Sequence, residues 1–185
     1  MKELSLNILD VTKNSVTAGA SRIGITLTED RQGRLTITIA DNGCGMSPDF
    51  LASVTDPFTT TRTTRRVGMG LPLYRLAAEQ TGGTLDIQST EGVGTTVTAT
   101  FDRTHVDCPP LGDLAGTVAL LIQGSPDIAF HYQHTTPAGR AELSTDDLKA
   151  VLGEDISLAE PEVFAWIEAY LTEQEAQLEG AESIK

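Results

Sequence analysis

The sequence predicts an α+β protein: a two-layer α/β sandwich with helices on one face of a mostly antiparallel sheet, plus a small α/β C-terminal extension. Two observations point there. Four segments alternate apolar and polar residues with period two, the mark of strands with one buried face. Segments with helical spacing lie around them, and a sheet with a single apolar face needs one helical layer to cover it.

The elements follow in chain order. Residues 4–18 set Leu4, Ile8, Val11 and Ser15 on one stripe, flanked by Leu9 and Val16, and form a first helix. Ile23, Ile25 and Leu27 alternate with Gly24 and Thr26; Leu35, Ile37 and Ile39 alternate with Thr36 and Thr38. The short turn Asp30-Arg31-Gln32-Gly33 joins these two strands into a hairpin. Ser47-Pro48 is a helix cap followed by a first-turn proline. Residues 70–81, with Leu73, Leu76, Ala77 and Gln80, form a helix that stops before Gly82-Gly83. Leu85 and Ile87, then Val97, Ala99 and Phe101, mark a second hairpin across Glu91-Gly92-Val93-Gly94. Cys108-Pro109-Pro110 marks a break, which divides the chain into 1–106 and 107–185. Beyond it the pattern predicts a buried helix over 113–122 and a hairpin, Ile128 to Thr135 and Arg140 to Leu143. A short helix follows Ser144-Thr145, and a longer one from Pro161 carries Phe164, Ile167, Leu171 and Leu178 on one face. The tail after Gly180 is expected to fray.

Charge is unevenly placed in this 185-residue chain of net charge −13. Residues 1–101 hold 9 Lys and Arg against 10 Asp and Glu, whereas residues 102–185 hold 4 against 16. So acidic a second half repels phosphate backbones and argues against nucleic-acid binding. No apolar run approaches the ~20 residues that span a bilayer, and the N-terminus lacks a secretory pattern. With only Cys44 and Cys108, a reduced cytoplasm is the expected setting.

Neither a Gly-x-x-x-x-Gly-Lys-Ser/Thr phosphate loop nor a Gly-x-Gly-x-x-Gly turn is present. The glycines fall in three other groups. Asp41-Asn42-Gly43-Cys44-Gly45-Met46 follows a strand; an aspartate there accepts from the exocyclic amine of a base, and the glycines let backbone approach a flat ring. Alone it also reads as a plain turn. Gly68-Met69-Gly70-Leu71 opens a helix, where unpaired N–H groups and the helix dipole favour anions. Five threonines and three arginines precede it within residues 59–66, a set suited to phosphates. Gly92-Val93-Gly94-Thr95-Thr96 is the third group, a hairpin turn. Asp10 and Asn14, four apart on one helix face, pair a carboxylate with an amide oxygen, donors suited to Mg²⁺ and an ordered water.

In this order and spacing the segments resemble the gyrase, heat-shock chaperone, histidine kinase and MutL (GHKL) family. Leu9 to Ala20 is similar to its asparagine box, in the MutL version. Asp41, Gly43 and Gly45 match the first glycine box, and Asp56 to Arg62 resembles the Pro-Phe-Thr-Thr segment of histidine kinases. Gly68, Gly70 and Leu71 resemble the second glycine box, and Gly82 through Val97 the closing strand pair. The resemblance covers residues 3–101 and implies the Bergerat ATP-binding fold, with ATP and Mg²⁺ as cofactors. It implies that Asn14 holds Mg²⁺, that Asp41 binds the adenine amine, and that Gly43, Gly45, Met46 and Thr96 lie nearby. Residues 58–70 would form a lid, bringing Phe58, Thr60, Arg62, Gly68, Met69, Gly70 and Leu71 to the nucleotide. Asp10 holds the position of the family's catalytic acid, usually glutamate. Thr17 replaces a common lysine, and Arg66 the first glycine of the second box.

A sensor kinase carries its phosphoacceptor histidine on a helical hairpin before this domain, whereas here the first helix starts within a few residues of Met1. His131 and His134, three apart in a strand, face opposite sides. The resemblance thus implies a histidine kinase-like phosphotransferase acting in trans in a signalling system, on a protein partner or phosphoacceptor; the acidity of the extension marks it, separately, as a docking or regulatory element. Anti-sigma-factor serine kinases are small single-domain proteins that likewise act on an acceptor in another chain, so the acceptor need not be histidine. An ATPase switch of the MutL or chaperone type and a nucleotide-sensing module remain open, as does a homodimer; no membrane partner is expected.

Overall fold

The computed structural model describes residues 3–54 and 70–182. Its elements run α1 (Leu4–Thr17), β1 (Arg22–Glu29), β2 (Arg34–Asp41), α2 (Pro48–Ser53), α3 (Gly70–Gln80), β3 (Leu85–Thr90) and β4 (Gly94–Asp102). There follow α4 (Leu114–Gly124), β5 (Ala129–Thr136), β6 (Gly139–Ser144), α5 (Thr145–Leu152) and α6 (Pro161–Glu182). Together they make the α+β sandwich that the alternation predicts.

Both N-terminal hairpins form as their turn residues require. Asp30 Oδ1 accepts from the amides of Gln32 and Arg34 at 3.0 and 2.9 Å, which closes the first turn. The Ser47 hydroxyl caps α2 by accepting from Phe50 N, with Pro48 in the first helical turn. One stripe is rotated from expectation. The buried face of α3 is Leu71, Tyr74, Ala77 and Ala78, whereas Leu73 and Leu76 are exposed. The large apolar ring decides this: Tyr74 lies 5.7 Å from Phe101, centroid to centroid, and so fixes which side faces the sheet.

All six strands form one sheet in the order β3-β4-β2-β1-β5-β6. Every neighbouring pair is antiparallel except β1 and β5, which run parallel with Ile25 opposite Tyr132. The sheet therefore continues across residue 106. A single core likewise runs from Leu4 through Ile25, Ile37 and Phe101 to Tyr132, Ile167 and Leu171.

The chain beyond residue 106 also completes α1. Glu3 makes no side-chain cap, and the first free amides of the helix, Leu4 N and Ser5 N, donate to the carbonyls of Pro110 and Leu111 at 2.9 and 2.8 Å. Helix α4 packs on α1 on one side and on α6 on the other. Helix α1, which carries Asp10 and Asn14, is thus held by the segment that follows the last strand of the N-terminal part.

Candidate functional site

The site is built at the C-terminal end of β2. Asp41 lies opposite Ile23 of β1 and Thr95 of β4. Its position in the alternation, two residues past Ile39, turns it to the helix-covered face. Three donors hold its half-buried carboxylate. Ser15 on α1 donates its hydroxyl to Oδ2 at 2.6 Å. The amides of Gly43 and Thr95 donate to Oδ1 at 2.9 and 3.3 Å. A carboxylate has about four acceptor positions, so one remains on Oδ2 for an external donor.

The turn after Asp41 is pinned on both sides. Asn42 Oδ1 accepts from the amides of Ser21 and Arg22, each at 2.9 Å, which ties the turn to the start of β1. Cys44 N donates to Ala18 O at 2.9 Å, and Gly92 N to Cys44 O at 2.7 Å. Met46 N donates to Ser89 Oγ at 2.8 Å. Gly45 has φ +67, and a Cβ there would stand 2.1 Å from Thr90 O. Only glycine lets this turn lie so close on the β3–β4 hairpin.

The other end of the site belongs to α1 and α3. Asp10 is exposed and Asn14 half-buried, one turn apart on the same helix face. Gly70 opens α3 against Asp10, where a Cβ on Gly70 would lie 3.6 Å from Asp10 Cβ. The N-terminal amides of α3 thus start beside the acid–amide pair, an arrangement that receives anions. Leu71, the next residue, is buried in the core rather than open at the surface.

The structure thus gathers Asp41, Gly43, Gly45 and Met46 at one end, and Asp10, Asn14 and Gly70 at the other. Phe58, Thr60, Arg62, Gly68 and Met69 lie outside the described residues. Thr96 needs a correction. It pairs with Ala40 and Gln88 in the ladder, so period two sends its side chain to the uncovered face of the sheet, away from Asp41. Thr95 has that place instead: its amide reaches Asp41, and its hydroxyl lies 2.8 Å from Ser89 Oγ. Ser15, Asn42 and Ser89 also escaped the sequence reading. Ser15 left one usable signal, a lone hydroxyl on an otherwise apolar helix stripe.

His131 and His134 do take opposite faces. His131 is exposed and pairs with Glu142 at 2.8 Å, while His134 is buried against Glu175 at 2.7 Å. Among the described residues no helix is long and apolar enough to cross a membrane, and no three His, Cys, Asp or Glu side chains form a metal-holding group.

A carboxylate fixed beside a glycine turn at one end can accept from the amine of a base, and a helix N-terminus beside an acid–amide pair at the other can receive an anion. Family comparison agrees: residues 1–105 match the family described as "Histidine kinase-, DNA gyrase B-, and HSP90-like ATPase". The chain belongs to that family. It is similar to the sensor histidine kinase ZraS of Salmonella typhi, 32% identical over 93 residues, which are 49% of this chain and 20% of that protein. It is similar also to the non-motile and phage-resistance protein of Caulobacter vibrioides, 31% identical over 114 residues, 58% of this chain and 14% of that one. The match therefore spans a fifth or less of each relative. Among solved structures, the N-terminal domain of a DNA repair protein superposes with a TM-score of 0.55 at 16% identity. That superposition covers 82% of this chain and 57% of the other, and it is a likeness of fold.

Proposed function

We propose that this protein binds ATP with Mg²⁺ and passes its γ-phosphoryl group to a side chain of a partner protein. The observation that carries the reading is the Asp41 carboxylate, held by Ser15, Gly43 and Thr95 with one acceptor position left. That position suits the exocyclic amine of adenine. The cradle fits a flat base as well, because Gly45 brings backbone to where any Cβ would collide. Asn14 offers the kind of oxygen ligand a hard cation prefers, and would hold Mg²⁺ together with the phosphates.

Bound MgATP supplies an activated phosphoryl group whose charge the cation spreads. The chain's own part is positional. Asp41 fixes the base, Asn14 the metal-bound phosphates, and the α3 N-terminus faces developing negative charge. Asp10, exposed beside Gly70, accepts the proton released when a hydroxyl, imidazole or water attacks. The kinase-like relatives favour a protein acceptor; the exposed Asp10 carboxylate favours water as a second reading, an ATPase that works as a switch.

Purified protein with γ-labelled ATP and Mg²⁺ tests both. Label that moves to a protein present in the native extract, and is lost with Asn14→Ala, supports phosphotransfer. Steady phosphate release abolished by Asp10→Ala supports the switch. Absence of any ATP binding overturns both readings.

A further inference from the structure

Helix α6 presents an exposed indole that rests on a half-buried tyrosine packed against the core. Trp166 is 51% exposed and stacks on Tyr170 with ring centroids 5.1 Å apart and planes 7° from parallel. Tyr170 OH donates to the carbonyl of Glu142 at 3.4 Å. Since β6 is the last strand of the sheet, this bond covers part of its free edge and fixes the ring on which the indole rests. The indole is thus held in place without being buried, which lowers the entropy a partner would have to offset in ordering it.

The surroundings say what partner fits. Helical spacing puts Glu162 and Glu173, both exposed, on the flank that carries Trp166 and Tyr170. Glu142 meets Tyr170 through its main-chain carbonyl alone; its carboxylate, shared by His131 and Arg140, lies on the other face of the sheet. Residues 102–185 carry 16 acidic against 4 basic side chains. The field over this flank is therefore negative, and an aromatic face in a negative field attracts cations. Arginine serves best, since its planar head stacks on indole while its donors reach carboxylates.

We infer that the Trp166–Tyr170 flank of α6 is a docking surface for an arginine-rich segment of a partner protein. It names a place and a partner chemistry for the acidic extension. It rests on the proposed function only for what the docked partner receives; the surface itself stands whether or not ATP is turned over.

Trp166 is the only tryptophan of the chain, so its fluorescence reports this surface alone. The probe is a synthetic peptide of alternating arginine and alanine, with alternating glutamate and alanine as control. The basic peptide is expected to shift Trp166 emission and the acidic one to leave it unchanged, with binding that weakens as salt rises. By calorimetry, Trp166→Ala is expected to lower affinity about tenfold, while Trp166→Phe, which keeps a ring, retains most of it. Circular dichroism checks that both variants fold. Equal affinity of wild type and Trp166→Ala overturns the proposal, because the peptide then sits elsewhere on the acidic surface. An emission shift that follows protein concentration without peptide also overturns it, as the face then joins two copies. ATP affinity, measured in the same variants, is expected to stay unchanged; this separates failure of the docking surface from failure of the nucleotide site.

Discussion

Ser15 donates its hydroxyl to Asp41 Oδ2 at 2.6 Å across 26 positions of sequence, and so links the first helix to the end of the second strand. The bond fixes one carboxylate oxygen while the amides of Gly43 and Thr95 fix the other. A base amine then meets an acceptor already oriented. Hydrogen bonds to a charged group contribute about 1.5–3 kcal/mol. Asp41→Asn, which replaces a carboxylate oxygen with a donor, is expected to weaken ATP binding by about ten- to a hundredfold. Ser15→Ala keeps the charge and loses only its alignment, so the drop should be smaller. Calorimetric titration with ATP and Mg²⁺ measures both; unchanged affinity in Asp41→Asn would remove Asp41 from the site.

Asp41 was legible in the sequence because a strand, an aspartate and two glycines occur there in a fixed order. Ser15 was not, since its role depends on where α1 crosses β2, a tertiary fact that helical periodicity does not carry. The Thr95–Thr96 exchange has a similar origin. Two adjacent threonines look alike in sequence, and only the register opposite Asp41 tells which one faces the helices. The strands were legible because one face is buried and alternation encodes that directly. Leucine spacing alone does not give the stripe of α3, because the contact of Tyr74 with Phe101 sets the helix rotation. Nor does any local pattern announce that β5 pairs with β1; parallel pairing over so long a separation leaves no turn to read.

The close approach of Gly45 to the β3–β4 hairpin gives a backbone test. A Cβ at 2.1 Å from Thr90 O has no room, and φ +67 adds strain for any L side chain. Gly45→Ala is expected to cost about 2–4 kcal/mol. Gly92→Ala shares a positive φ of +79 but meets nothing within 4 Å. It should cost only about 1 kcal/mol. Urea unfolding of the two variants gives the difference, and equal losses would mean that the contact with Thr90 carries no weight.

Removing residues 107–185 withdraws the carbonyls that meet Leu4 N and Ser5 N, and it bares the β1 edge that pairs with β5. It also exposes the face of α1 that packs on α4. A domain's net stability is only about 5–15 kcal/mol, less than these losses together. Residues 1–106 alone are therefore expected to show no cooperative thermal transition and no ATP binding. A sharp transition in the fragment, followed by circular dichroism, would mean that the N-terminal part stands by itself.

Glu175 ties the second half of α6 to the sheet. It accepts from Tyr132 OH at 2.6 Å and pairs with His134 Nδ1 at 2.7 Å, both partners being buried. Glu175→Ala strands two buried polar groups at once, which is expected to cost about 3–5 kcal/mol. Glu175→Gln keeps an acceptor for Tyr132 and should lose less. Chemical denaturation gives the totals, while amide exchange over residues 172–182 is expected to quicken in the alanine variant before the rest of the chain opens. Uniform exchange would argue that α6 does not depend on this anchor.

Tyr74 gives the last test, because its hydroxyl is buried and finds no hydrogen-bond partner among the described residues. An unsatisfied buried hydroxyl costs about 1–3 kcal/mol. Tyr74→Phe keeps the ring against Phe101 and is therefore expected to raise stability by about 1 kcal/mol at neutral pH. Burial also pushes the Tyr74 hydroxyl above the ordinary value of 10.0. The unfolded chain then releases this proton at lower pH than the folded one. Stability is thus fully present below pH 10 and falls as pH rises above it, by about 1.4 kcal/mol per pH unit for each such group. Tyr132, raised in the same direction first by burial and then by the Glu175 carboxylate, adds a second share. Urea midpoints between neutral pH and pH ~11 should fall less steeply in Tyr74→Phe than in wild type, with the Tyr132 share remaining. If both proteins lose stability at the same rate, Tyr74 reaches solvent before the fold opens, and its burial does not govern the alkaline limb.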